Sequence, residues 1–194
     1  MPASVTTRRF NVEEYHRMAE AGVLHPAERV ELIEGEIVQM AAIGSRHAEC
    51  VDRLTRILVR GIEDRGTVRV QNPVRLSDHS EPEPDIALVR PRPEGYADRH
   101  PGPRDTLLVI EVADATLALD RKVKVPLYAQ AGIAECWIVD LEADVIDVHR
   151  TPHDRAYTQA KRHHRGEVIR PGPAADLRLA VDEILPTPRR PSER

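Results

Sequence analysis

Three stretches of the sequence carry residue types that can do chemistry together. Pro84-Asp85 opens the short apolar run Ile86–Val89. Glu111 follows 26 positions later, inside the apolar run Leu107–Ala113. Asp120-Arg-Lys-Val-Lys124 comes next, ahead of the apolar segment Val125–Ala129. A carboxylate in a buried strand is costly unless it is paired or binds a cation. Two of them on neighbouring strands repel each other and raise one pKa. A divalent ion removes that penalty, and an all-oxygen donor set selects Mg2+ or Mn2+ over zinc. A lysine at 122 or 124 would add a positive charge and a proton-handling group beside an attacking water. Together these are the parts for hydrolysing a phosphodiester: a metal to polarise the phosphate and acidify water, and a cation for the developing charge.

Each residue also has a plainer role. Asp85 can cap a turn, Glu111 can pair with an arginine, and Lys122 and Lys124 can form a solvated helix start. These roles are comfortable singly and less so jointly. Of 28 Lys and Arg residues only Lys122, Lys124 and Lys161 are lysines. A chain that uses arginine almost everywhere thus puts two of its three lysines at a helix N-terminus, where cations are less favoured than at the C-terminus. By its types and spacing alone His47 is a helix-face residue and Glu31 a strand-edge charge. His163-His164 fits a solvated turn, and Cys136-Trp137 fits the core.

Local patterns supply the elements that must position these groups. Asn11 with Glu14 makes a capping box, with Phe10 and Tyr15 as staple, for a helix to about Ala21 that stops at Gly22. Glu34-Gly35 divides Glu31–Met40 into a hairpin. His47, Val51, Leu54, Leu58 and Ile62 share one face of a helix over Ser45–Asp64. Strands are expected at Thr67–Leu76, Asp85–Arg90 and Thr106–Ala113, the last covered on both faces. The Pro- and Gly-rich stretch Arg90–Asp105 is a surface loop. A helix over Arg121–Ala131 is expected to be capped by Asp120, with Pro126 near its first turn and Gly132 at its end. Glu135–Asp140 and Val145–Arg150 form a hairpin, with weaker strands near Tyr157–Arg162 and Glu167–Arg170.

This alternation of strands and helices specifies one soluble α/β domain over residues 1–185, with 186–194 as a disordered tail. Hydrophobic residues make up 41% of the 194, enough for a core. No run approaches the roughly 18 apolar residues of a membrane span. MPASVTTRRF has no apolar run behind its arginines, so it is not a secretory signal, and the cytoplasm is the default location. Cys50 and Cys136 fit no ligand spacing and are expected as buried free thiols. The net charge of −4 argues against a broad basic coat but leaves room for a local basic groove facing DNA. Aromatics at 3% argue against a base-stacking platform for single strands.

Several stretches together resemble the Uma-two family of restriction endonucleases. They are Glu31-Leu-Ile-Glu-Gly-Glu-Ile37, the downstream His47, and Pro82-Glu-Pro-Asp-Ile-Ala-Leu88. Leu108-Val-Ile-Glu-Val-Ala-Asp-Ala-Thr116, Asp120-Arg-Lys-Val-Lys-Val-Pro-Leu-Tyr128 and Ala131-Gly-Ile-Ala-Glu-Cys-Trp-Ile-Val-Asp140 complete the set. The motifs keep their order over about residues 10 to 150. The resemblance implies the PD-(D/E)XK, restriction-endonuclease-like fold, a mixed central β-sheet flanked by helices. Asp85 and Glu111 then take the places of the two motif acids and of the metal ligands. The lysine expected two residues after Glu111 is replaced by Ala113. In this family it looks to have moved onto the Lys-x-x-x-Tyr element ending at Tyr128, which selects Lys124 as the third catalytic residue. Lys122 and Lys124 point about 200° apart on a helix. Lys124 shares its face with Tyr128, so Lys122 is expected to point outward, toward solvent or a DNA phosphate. Glu31 and His47 match motif positions and are expected to flank the site.

These residues lead to two expectations. The first is a Mg2+-dependent (or Mn2+-dependent) endonuclease acting on DNA as a homodimer, since cutting both strands suits two-fold symmetry. The second is a DNA-binding accessory protein that keeps the nuclease fold with little or no activity.

Overall fold

A computed structural model gives the fold for residues 6–25 and 27–188. The first helix, α1 (Val12–Glu20), starts at the capping box: Asn11 accepts from the Glu14 N–H, and Glu14 accepts from the Asn11 N–H. A hairpin of β1 (Val30–Ile33) and β2 (Glu36–Gln39) turns through Glu34 and Gly35, both at positive φ. The long α2 (Ser45–Ile62) follows. Then come β3 (Thr67–Val70), β4 (Ile86–Val89) and β5 (Thr106–Ala113).

The next helical stretch has three parts. These are α3 (Leu117–Leu119), a π-helical turn (Asp120–Lys124) and α4 (Val125–Gln130). The remaining elements are β6 (Glu135–Asp140), β7 (Val145–His153), β8 (Ala156–His164), β9 (Val168–Ile169), β10 (Leu179–Ala180) and α5 (Val181–Ile184). Among the described residues no helix is long and apolar enough to cross a membrane.

Six strands form one mixed sheet in the order β3-β4-β5-β6-β7-β8. Only β5 and β6 run parallel, joined by the helical crossover; the other neighbours are antiparallel. Strand side chains alternate between faces, and the two faces have separate cores. Leu108, Ile110 and Val112 of β5 pack with Leu54, Leu58 and Ile62 of α2. Val109 and Ala113 pack with Val125, Leu127 and Tyr128 of α4. Glu111 shares the second parity and faces the α4 layer. The register pairs Ile86 with Ile110, so Asp85, one residue before β4, arrives beside Glu111.

Four local expectations need correction. The strand expected over Thr67–Leu76 ends at Val70. Gln71 takes a positive φ of 49°; Pro73 has no N–H for a ladder, and Val74 and Leu76 pair instead with Pro82 and Ser80. Asp120 is not a cap: the helical stretch begins three residues earlier, and Asp120 is buried within the π turn. That wider turn carries the Val125 N–H to Asp120 O, five residues back. It lies just ahead of Pro126, whose ring would otherwise crowd the carbonyl four residues before it. His163 does not lie in a solvated turn; it is a buried residue of β8, opposite Ile146. Pro186, the first residue of the expected tail, is buried, and its carbonyl accepts from Arg165. The rest of that tail from 189, like residues 1–5, lies outside the described residues.

Candidate active site

Asp85 and Glu111 line one cavity of about 540 Å³, open to solvent between the β1–β2 hairpin, the start of α2 and the π turn. Glu31, His47, Asp120 and Lys124 line it too, with Gly44 and the apolar residues Met40–Ile43. Lys122 does not; it is exposed.

Asp85 is fixed from three directions. Its Oδ2 accepts from the Val112 N–H at 2.9 Å and lies 3.0 Å from His47 Nε2. Its Oδ1 accepts from the Gln71 side-chain amide at 3.2 Å. Burial pushes the Asp85 carboxyl up, but the His47 contact and the Val112 and Gln71 hydrogen bonds outweigh it and hold the group below the usual carboxylate range. The left-handed turn at Gln71, which ends β3 early, is what aims that amide at Asp85.

Glu111 is held differently. Its Oε1 accepts from the Tyr128 hydroxyl at 2.5 Å and sits 3.2 Å from Lys124 Nζ. Its Oε2 accepts from the Asp85 N–H at 3.4 Å. Burial raises the Glu111 carboxyl to about 8; Lys124 opposes this, while the charges of Asp120, Asp85 and Glu31 add to it. Lys124 Nζ also lies 3.1 Å from Glu31 Oε1, and the Lys124 side chain is only 5% exposed. Glu31 Oε2 in turn accepts from the Glu83 N–H at 3.0 Å. Burial alone would lower the Lys124 pKa, but Glu111, Glu31 and Asp120 overcome it and raise the value, so the ammonium stays charged.

The π turn shapes this arrangement. Positions eight apart in a straight α-helix drift by about 80°. One wider turn removes much of that drift, and Asp120, Lys124 and Tyr128 are all buried on the sheet side. π turns of this sort recur at functional sites.

Four buried carboxylates, of Glu31, Asp85, Glu111 and Asp120, therefore share the cavity with one buried ammonium. Each carboxylate oxygen offers about two acceptor positions. By that count Asp85 Oδ1 and Glu111 Oε2 each keep one, after the contacts above. The surplus negative charge and the acceptor positions left on the Asp85 and Glu111 carboxylates fit a hard divalent cation.

The structure thus brings together Asp85, Glu111, Lys124, Glu31 and His47, and leaves Lys122 outside. Sequence reasoning missed the parts played by Asp120 and Gln71. Asp120 stood in the motif but was assigned to a cap. Gln71 stood in an expected strand, where no side-chain pattern marks a positive φ.

Comparison with known proteins agrees with this architecture. A crystal structure of a "putative nuclease belonging to DUF820" from Anabaena variabilis ATCC 29413 superposes with a TM-score of 0.70. The two share 14% sequence identity over 90% of this chain and 97% of that one, which shows a common fold. No curated protein gives a significant match. The family model Uma2, described as "Putative restriction endonuclease", matches residues 12–182, and the chain belongs to that family.

Proposed function

We propose that the protein is a divalent-cation-dependent endonuclease that hydrolyses phosphodiester bonds in DNA. The observation that carries this is the buried surplus of carboxylate around Lys124 in an open cavity. Asp85 and Glu111 would hold Mg2+ or Mn2+. The ion supplies Lewis-acid activation of the phosphate and lowers the pKa of a bound water.

The protein's own groups do the rest. His47, Gln71 and the Val112 N–H orient Asp85. Tyr128 and the Asp85 N–H orient Glu111. A lysine kept protonated by three carboxylates is a donor, not a base. An ammonium has three N–H donors, and with two directed at Glu31 and Glu111 the third is available to a non-bridging phosphate oxygen as charge develops. Lys124 would thus take over the role of the lysine that the superfamily pattern expects at position 113, where this chain has Ala113. Cutting both strands of a duplex suits two copies of the chain, and sedimentation would report whether the active species is a dimer.

The test is cleavage of supercoiled plasmid by wild type, Asp85→Asn and Glu111→Gln in Mg2+ or Mn2+, with EDTA as control. Nicking or linearisation by wild type alone is the expected result. The amides keep the shape of the side chains and remove the charge that holds the ion. Full activity in either variant, or in EDTA, would refute the assignment. DNA binding with no cleavage by wild type would favour the accessory protein instead.

A further inference from the structure

We propose that His16, Glu81 and His100 form a second metal site, one that takes Zn2+ and clips α1 and the long loop before β5 onto the segment leading to β4. None of these residues lines the Asp85–Glu111 cavity. One ligand atom from each lies within 4.8 Å of the others. His16 Nε2 is 2.6 Å from Glu81 Oε1, and the His16 and His100 rings sit edge to face with centroids 6.2 Å apart.

Glu81 is the centre of the cluster. It is 2% exposed, and its N–H donates to Leu32 O at 2.8 Å, which fixes the backbone behind it. Among the described residues its second oxygen, Oε2, is buried with no hydrogen-bond partner, and so is His100 Nδ1. Buried polar atoms in native proteins are nearly always paired. A carboxylate oxygen and an imidazole nitrogen left over in one small cluster are a donor set awaiting an acceptor of electron pairs.

The donor types select the ion. Two imidazoles and one carboxylate are the three-ligand set of open zinc sites. Mg2+ prefers oxygen and keeps its waters. A cavity of about 340 Å³ beside the cluster, lined in part by Arg75, Tyr96 and Arg99, leaves room for a fourth ligand.

The site's place in the chain gives it a purpose. His16 and Glu81 are 65 positions apart in sequence. His100 belongs to a stretch, Arg90–Asp105, with no helix or strand of its own. Joining such distant segments removes conformational freedom from the unfolded chain, and more so for long loops. Unstructured loops beyond about 12–15 residues are usually functional when they occur in compact domains.

The test uses chelator-stripped full-length protein titrated with Zn2+ and, as a spectroscopic probe, Co2+. The expected result is one tightly bound Zn2+ per chain and visible Co2+ ligand-field bands, both retained in an Asp85→Asn/Glu111→Gln double variant. Zn2+ should also raise Tm. His100→Ala, which alters only a loop residue, should lose the bands and the Tm rise. Its Zn2+ affinity should fall by more than the roughly 10–100-fold that loss of an outer-shell partner costs. Glu81→Gln, which keeps the side-chain shape, should weaken Zn2+ binding as well. The proposal is overturned if wild type binds no Zn2+, if the double variant loses it, or if His100→Ala and Glu81→Gln bind it unchanged.

Discussion

The cavity around Asp85 and Glu111 and the cluster of His16, Glu81 and His100 both bury carboxylates, yet their partners differ. In the cavity the carboxylates meet a fixed ammonium, a tyrosine hydroxyl, an amide, backbone N–H groups and one imidazole, that of His47. What Asp85 and Glu111 keep for a ligand there is carboxylate oxygen, within a surplus of negative charge. In the cluster Glu81 meets two imidazoles, which are themselves metal donors. A buried carboxylate always needs a counterpart, and the counterpart decides whether the site suits a hard ion and hydrolysis or a borderline ion and cross-linking. The two sites also differ in how they are positioned. Sheet register and one helical turn place the first, whereas a helix, a pinned segment and a long loop must converge to make the second.

Removing Lys124 should break the comparison most severely. Lys124→Ala leaves Glu31 and Glu111 buried against each other with no cation, and loss of one partner from a buried pair costs about 3–5 kcal/mol. Cleavage should vanish and the denaturation midpoint should fall. Lys122→Ala should still cut, but bind DNA more weakly and with a shallower salt dependence than wild type. A cleaving Lys124→Ala variant would show that the wrong lysine has been chosen.

Tyr128→Phe should act on the cavity and not on the cluster. It removes the Tyr128 donor and leaves a buried Glu111 acceptor unsatisfied, at a cost of about 1–3 kcal/mol. Stability and turnover should both drop while Zn2+ binding is unchanged. Equal loss of Zn2+ binding would mean that the two sites are coupled.

The pH dependence sharpens the contrast further. The folded-state pKa of Glu111 lies above its ordinary 4.5, at about 8. The metal-free protein therefore keeps this group's contribution at low pH and loses it as pH rises through that window. A cation in the cavity competes with the Glu111 proton, so Mn2+ should raise Tm more at alkaline pH than near pH 6. The gain should be about 2–4 °C per kcal/mol of added binding. A Mn2+ effect independent of pH would separate Glu111 from the ion.

Much of this was legible in sequence where a single local rule decides the outcome. The capping box at Asn11, the Glu34-Gly35 turn and the continuous apolar run of β5 each specify structure without tertiary help. The family's ordered motifs pointed to the mixed sheet, and the face shared by Lys124 and Tyr128 follows from helix geometry. The rest depended on non-local contacts. The π turn cannot be read from Asp120-Arg-Lys-Val-Lys124, because Pro126 alone is compatible with a plain first turn. Gln71 leaves its strand for a partner 14 positions away. His16, Glu81 and His100 share no motif or spacing; only the folded chain gathers them.

The central claim is that Asp85 and Glu111 hold a hard divalent ion beside Lys124. Crystals soaked in Mn2+ and measured at the manganese edge test it most directly. The account expects an anomalous peak bound by Asp85 and Glu111 in wild type and absent from Asp85→Asn. A well-ordered cavity with no peak at saturating Mn2+, or a peak that persists in Asp85→Asn, would contradict it.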